Sequence, residues 1–66
     1  MKIRYDKNVD AMYIYAEEGK PEYSEEISEG VIVDVSKEGR VVGIEILDAS
    51  EKFSSNSLKR MVSLKR

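Results

Sequence analysis

Apolar and polar residues alternate with a period of two along most of residues 2–47, the spacing that turns one face of a β-strand toward a core. KIRY at 2–5 sets Ile3 and Tyr5 on one face of a first strand. AMYIYA at 11–16 puts Met12, Ile14 and Ala16 on one side and Tyr13 and Tyr15 on the other. After a break at EEGKP, EYSEEI at 22–27 gives a weak, acidic third strand, with Pro21 admissible only at a strand start or a sheet edge. VIVDVS at 31–36 and VVGIEIL at 41–47 are β-branched runs flanking a four-residue linker whose Gly39 can take positive φ, so strands four and five are predicted to pair as an antiparallel hairpin. In the fifth, Gly43 has no side chain where its neighbours are large, which marks a bulge or a place where another side chain lies against the backbone.

Beyond Leu47 the period changes. Asp48 with Glu51 makes a capping-box pattern, so a short helix is predicted from about residue 49 with Asp48 as its cap. SSNS at 54–57 interrupts or recaps it, and Leu58, Met61 and Val62 then fall at helical spacing among Lys59, Arg60, Lys65 and Arg66. The fold class is therefore α+β, mainly β: an antiparallel meander of about five strands with a short C-terminal helical segment. Residues 1–53 form the domain with its first helical turn, and 54–66 a basic helical tail.

Strands two and five are apolar on both sides, and one short helix cannot cover two faces. A chain of 66 residues buries only ~60% of its unfolded surface, and this one has no cysteine or histidine with which to staple itself. Oligomerisation is the remedy left, and a homodimer is expected, joined sheet to sheet or by exchanged C-terminal segments.

Composition narrows the chemistry. Without His or Cys, the usual base, thiol nucleophile and zinc ligands are missing, and no spaced acidic loop suggests an oxygen-liganded ion. No metal or cofactor is expected. The eight serines lie outside any GxSxG or SxxK pattern, and no phosphate-cradling glycine loop is present, so no catalytic residue is assigned. Asp6 and Asp10 flank a turn, where their carboxylates are expected to bond nearby amides. The absence of cysteine, of an apolar leader in MKIRYDK and of any ~20-residue apolar run fits a soluble cytoplasmic protein with no membrane partner.

Charge is unevenly spread. Residues 17–29 hold six glutamates against Lys20, a local sum of -5, whereas 54–66 hold four cations and no acid. The tyrosines could stack nucleic-acid bases, but their neighbours are acidic or apolar, so strand packing is the expected use. The basic tail could meet phosphates or dock on the glutamate-rich stretch of its own or a partner chain. Docking is expected, because Leu58, Met61 and Val62 need an apolar surface that DNA lacks, and nucleic acid is not an expected partner.

The run YDKNVDAMYI followed by EEISEGVIVDVSKEGRVVGIEILDAS resembles the small prokaryotic domain-of-unknown-function family numbered twenty-two eighty-three. The shared pattern falls here on Tyr5, Asp6, Asp10, Ala11, Tyr13 and Ile14, then on Gly30, Asp34, Gly39, Gly43 and the run Ile44 to Ala49. The likeness spans residues 3–50, leaves the tail outside, and carries no established activity. It implies an antitoxin-type role by analogy, since relatives are thought to be encoded beside small toxin-like proteins.

Two functional readings stand at this stage. The first is a non-catalytic protein-interaction module, an antitoxin-like regulator with a small protein partner, for which Tyr13 and Tyr15 are surface candidates. The second is a carboxylate-dependent small-ligand binder or enzyme built on Asp34, Glu45 and Asp48, with Arg4 or Arg40 neutralising the first two across the hairpin. That reading requires the three carboxylates to converge in a pocket.

Overall fold

A computed structural model describes residues 2–63 of the chain. Lys65 and Arg66 of the expected basic segment, and the Val62 side chain, lie outside the described residues. Five strands and two helices follow in order: β1 (Lys2–Asp6), β2 (Ala11–Tyr15), β3 (Tyr23–Ser28), β4 (Val31–Val35), β5 (Val41–Leu47), α1 (Ala49–Lys52) and α2 (Ser55–Ser63). The expected five-stranded antiparallel sheet with its short C-terminal helix is what forms. No helix among the described residues is long and apolar enough to cross a membrane.

The strand order is β1-β2-β5-β4-β3. A β1–β2 hairpin and a β3–β4–β5 run of consecutive strands therefore meet where β2 pairs with β5, instead of continuing as one meander. This arrangement explains the two strands that are apolar on both sides: they are central neighbours, and central strands are the ones most covered. The polar strands take the edges. All six residues of β3 are exposed, and Pro21 sits just ahead of it.

In register, Ile3 lies opposite Ile14, Tyr5 opposite Met12, Met12 opposite Ile46 and Ile14 opposite Ile44. These side chains share one face. Ile3, Met12, Ile46 and Ala49 are buried there, with Tyr5, Phe53, Leu58 and Met61 packed around them. SSNS recaps the helix: the Ser57 N–H donates to Ser54 Oγ at 3.1 Å, which lets α2 start anew and lie along β1. Apolar burial decides where the tail docks, so the expected seat on the glutamate-rich 17–29 stretch is corrected to the core beside β1. The β4 valines Val31, Val33 and Val35 stay half-exposed.

The linker between β4 and β5 closes as expected. The Gly39 N–H donates to the Ser36 carbonyl at 2.9 Å, with Gly39 at φ +84. Register then shifts between Asp34 and Val35, which oppose Gly43 and Val41 respectively, leaving Val42 as the extra residue of a bulge.

Candidate functional site

Opposite the helices, the sheet carries Tyr13 at its centre, flanked in register by Arg4 on β1 and Glu45 on β5. Its hydroxyl reaches across β5 and donates to Asp34 Oδ2 on β4. Gly43 makes that reach possible. A Cβ added at Gly43 would stand 2.6 Å from Tyr13 Cζ and closer still to the hydroxyl, so the ring lies directly on bare backbone. Both meanings of Gly43, a bulge beside it and a side chain laid over it, are thus present. From β3, Ser24 Oγ donates to Asp34 Oδ1 at 2.5 Å, completing a polar tie across β2, β5, β4 and β3. Tyr15 meets Tyr13 edge to face, with centroids 4.5 Å apart.

The carboxylate of Asp34 holds the Tyr13 phenol in its neutral, donating form. That hydrogen bond, followed by burial and by the Asp34 charge, pushes the phenol up to about 12. A tyrosine acting as base or nucleophile near neutrality needs a shift in the other direction. Two results follow from the sign. Asp34→Asn is expected to bring the Tyr13 ultraviolet phenolate titration down toward the ordinary tyrosine value of ~10. In the native chain the unfolded tyrosine ionises first, so the stabilising contribution of this pair is complete below pH ~10 and lost as pH rises toward about 12. Thermal melts at stepped alkaline pH check this; an equal alkaline loss in Asp34→Asn would contradict it.

A second tyrosine–aspartate pair lies on the helix-covered face. The Tyr5 hydroxyl donates to Asp10 Oδ1 at 2.7 Å, and Ser50 donates its N–H to Oδ1 at 3.0 Å and its Oγ–H to Oδ2 at 2.7 Å. The Tyr5 and Ser50 bonds hold the Asp10 carboxyl below its usual range, and the same bond raises the Tyr5 phenol. Asp10 also accepts the Ala49 N–H on its backbone carbonyl at 3.0 Å. The start of α1 is therefore capped from a distant turn, and the expected cap at Asp48 is corrected. Side-chain caps go with an extended backbone, whereas Asp48 is left-handed at φ 52 and makes no side-chain cap bond. The local turn bond expected of both early aspartates is made by Asp6, which accepts the Asn8 N–H at 2.9 Å.

The expected acidic constellation does not assemble. Asp34 opposes Gly43 and Glu45 opposes Ile32, so the two share a face without meeting directly. Their expected arginine partners are elsewhere: Arg40 grips Glu17 at 2.9 and 3.1 Å, and Arg4 lies beside Tyr13. Asp48 follows the end of β5, five residues past Gly43 and roughly 17 Å along at a strand's rise. Asp34, Tyr13 and Tyr15 come together with Glu45 nearby, and Asp48 does not join them. Among the described residues no group of three or more His, Cys, Asp or Glu is placed to hold a metal ion. An open groove of about 720 Å³ runs beside Tyr13 and Tyr15, with Lys2, Arg4, Pro21 and Val42 on its walls. Ser24 on β3 and Ser50 on α1, which complete the two ties, carry no mark in the sequence, because a serine looks the same whether or not a carboxylate from a distant segment arrives.

Five antiparallel strands, backed by a C-terminal helix, crossed by the Tyr13–Asp34 tie and pinned at the β1–β2 turn by Tyr5–Asp10, define a small mainly β module. The chain belongs to the family described as protein of unknown function (DUF2283), whose model matches residues 2–50. It is also 37% identical over 54 residues to an uncharacterized protein of Methanocaldococcus jannaschii, covering 82% of this chain and 46% of that one. The chain thus spans about half the length of this curated relative. No solved structure matches it.

Proposed function

We propose that this protein is a non-catalytic interaction module, a cytoplasmic homodimer that binds a small protein partner in the manner of an antitoxin. The observation that supports the reading is the uncovered half of the sheet. The helices pack over the apolar residues of β1, β2 and β5, while Val31, Val33 and Val35 are only partly buried and Tyr23 and Ile27 on β3 are 52% and 62% exposed. Apolar surface left open in a chain with so small a core fits a surface completed by another polypeptide. Two acids at these ties are engaged: Asp34 by Tyr13 and Ser24, Asp10 by Tyr5 and Ser50.

The valine face suits the second copy, sheet against sheet. Size-exclusion chromatography with light scattering at micromolar concentration should give twice the chain's mass. For the partner, the product of the neighbouring gene is expressed with and without this chain; relief of a growth defect and a stoichiometric co-purified complex are expected. A monomer that forms no complex with that product would overturn the proposal.

A further inference from the structure

Among the described residues β3 is a free edge of the sheet, paired to β4 on one side only. A free edge presents unpaired backbone N–H and C=O groups that an extended segment can join. The regular pairing on its inner side runs from Tyr23 to Glu26, after which a bulge leaves Ile27 out of the ladder. The side chains along this edge are acidic on both faces: Glu25 stands beside Val33 and Glu26 beside Ile32, with Glu22 and Glu29 just outside the strand. Of these, Glu26 accepts the Gly30 N–H at 2.9 Å and holds the turn. Glu22, Glu25 and Glu29 are exposed and enter no ion pair among the described residues; the pair formed in this region is Arg40 with Glu17.

Such an edge discriminates. A second copy presenting its own β3 would set glutamates against glutamates, which directly opposed strands resist. A second copy presenting β1, with Lys2 and Arg4, would suit the charge but would pair head to tail, a heterologous contact that builds rings or filaments and not the closed two-fold dimer proposed above. We infer that the β3 edge takes an extended basic segment of a different protein as a sixth strand. This rests on the reading of the chain as an interaction module and specifies the partner's chemistry: lysine or arginine for Glu22 on one face of the strand, for Glu25 on the other and for Glu29 past the bulge, with an apolar residue beside Tyr23, which shares the face of Glu25. Backbone bonds supply affinity and the acids supply selection.

The probe is a short synthetic peptide alternating lysine with valine, titrated into the isotope-labelled full chain, with a glutamate–valine peptide as control. Amide resonances of residues 22–29 are expected to move with the lysine peptide only, and added salt should weaken the binding. Combining Glu22→Lys, Glu25→Lys and Glu29→Lys should weaken it about tenfold, roughly 1.4 kcal/mol, with an unchanged melting temperature. Should that variant fail to fold, Glu25→Gln with the salt series gives the same reading.

Equal affinity in the variant, movement at β1 or the tyrosine groove instead of β3, or no binding would overturn the inference. So would β1 and β3 resonances moving together on concentrating the protein alone, which would assign the edge to another copy. If the neighbouring gene's product binds native and triple-substituted chains equally, the edge proposal fails while the interaction reading stands. If it binds neither and the chain is monomeric, the interaction reading itself fails.

Discussion

Met12→Ala should be the most damaging single truncation in the chain, costing about 2–5 kcal/mol. Among the described residues, Met12 is the one large side chain that is completely buried, at 0% exposure, and it sits where β1, β2 and β5 meet, in one cluster with Ala49. A small domain holds only about 5–15 kcal/mol in all, and at this size each kcal/mol moves the melting temperature by about 4–8 °C. Thermal unfolding followed by circular dichroism should therefore show a fall of at least about 8 °C. Met12→Leu keeps the volume and should cost less than about 1.5 kcal/mol. A loss below ~1 kcal/mol for the alanine variant would mean that the core does not close around this residue.

Gly43→Ala is expected to destabilise by about 1–3 kcal/mol, against the ordinary rule that alanine suits a strand better than glycine. The added methyl group would occupy the space of the Tyr13 ring, forcing it off the backbone and its hydroxyl away from Asp34. The diagnostic feature is a change of sign. In a Tyr13→Ala background the obstruction is gone, and Gly43→Ala should then stabilise by about 0.5–1 kcal/mol, the usual cost of glycine in a strand interior. A double-mutant cycle from chemical denaturation measures this directly. If the substitution destabilises equally in both backgrounds, the glycine is required by the bulge and not by the tyrosine.

How much of this was legible beforehand depended on whether a feature is local. Alternation placed the strands to within a residue or two, the turn at Gly39 announced the β4–β5 hairpin, and the bare position at Gly43 pointed to something lying against it. Strand order was not legible, because pairing of β2 with β5 leaves no periodic trace in either segment; two-sided apolarity pointed as readily to a second subunit as to a central position. The acidic site misled for a related reason. Asp34 and Glu45 look like a like-charge problem across a hairpin until a phenol arrives from a strand 21 positions earlier. Asp48 fits a capping box in sequence, and a left-handed backbone at that residue transfers the task to Asp10, 40 positions from Ser50. The tail docked through its apolar residues, as the sequence implied, but on the core and not on the glutamates.

The β2–β5 pairing also sets the order of assembly. The β1–β2 hairpin closes over residues 7–10, whereas joining β2 to β5 must close residues 16–40, 25 residues against four. By chain-closure entropy the longer loop costs roughly 1.6 kcal/mol more, and contacts at such separation are what slow folding. The amino-terminal hairpin and the carboxy-terminal three strands can each form locally; their meeting is the late event. Tyr13 with Asp34, and Asp10 with Ser50, both span that join. The Tyr13–Asp34 and Asp10–Ser50 bonds are thus the latches of a two-piece chain, made after each piece exists and lost first when the pieces part.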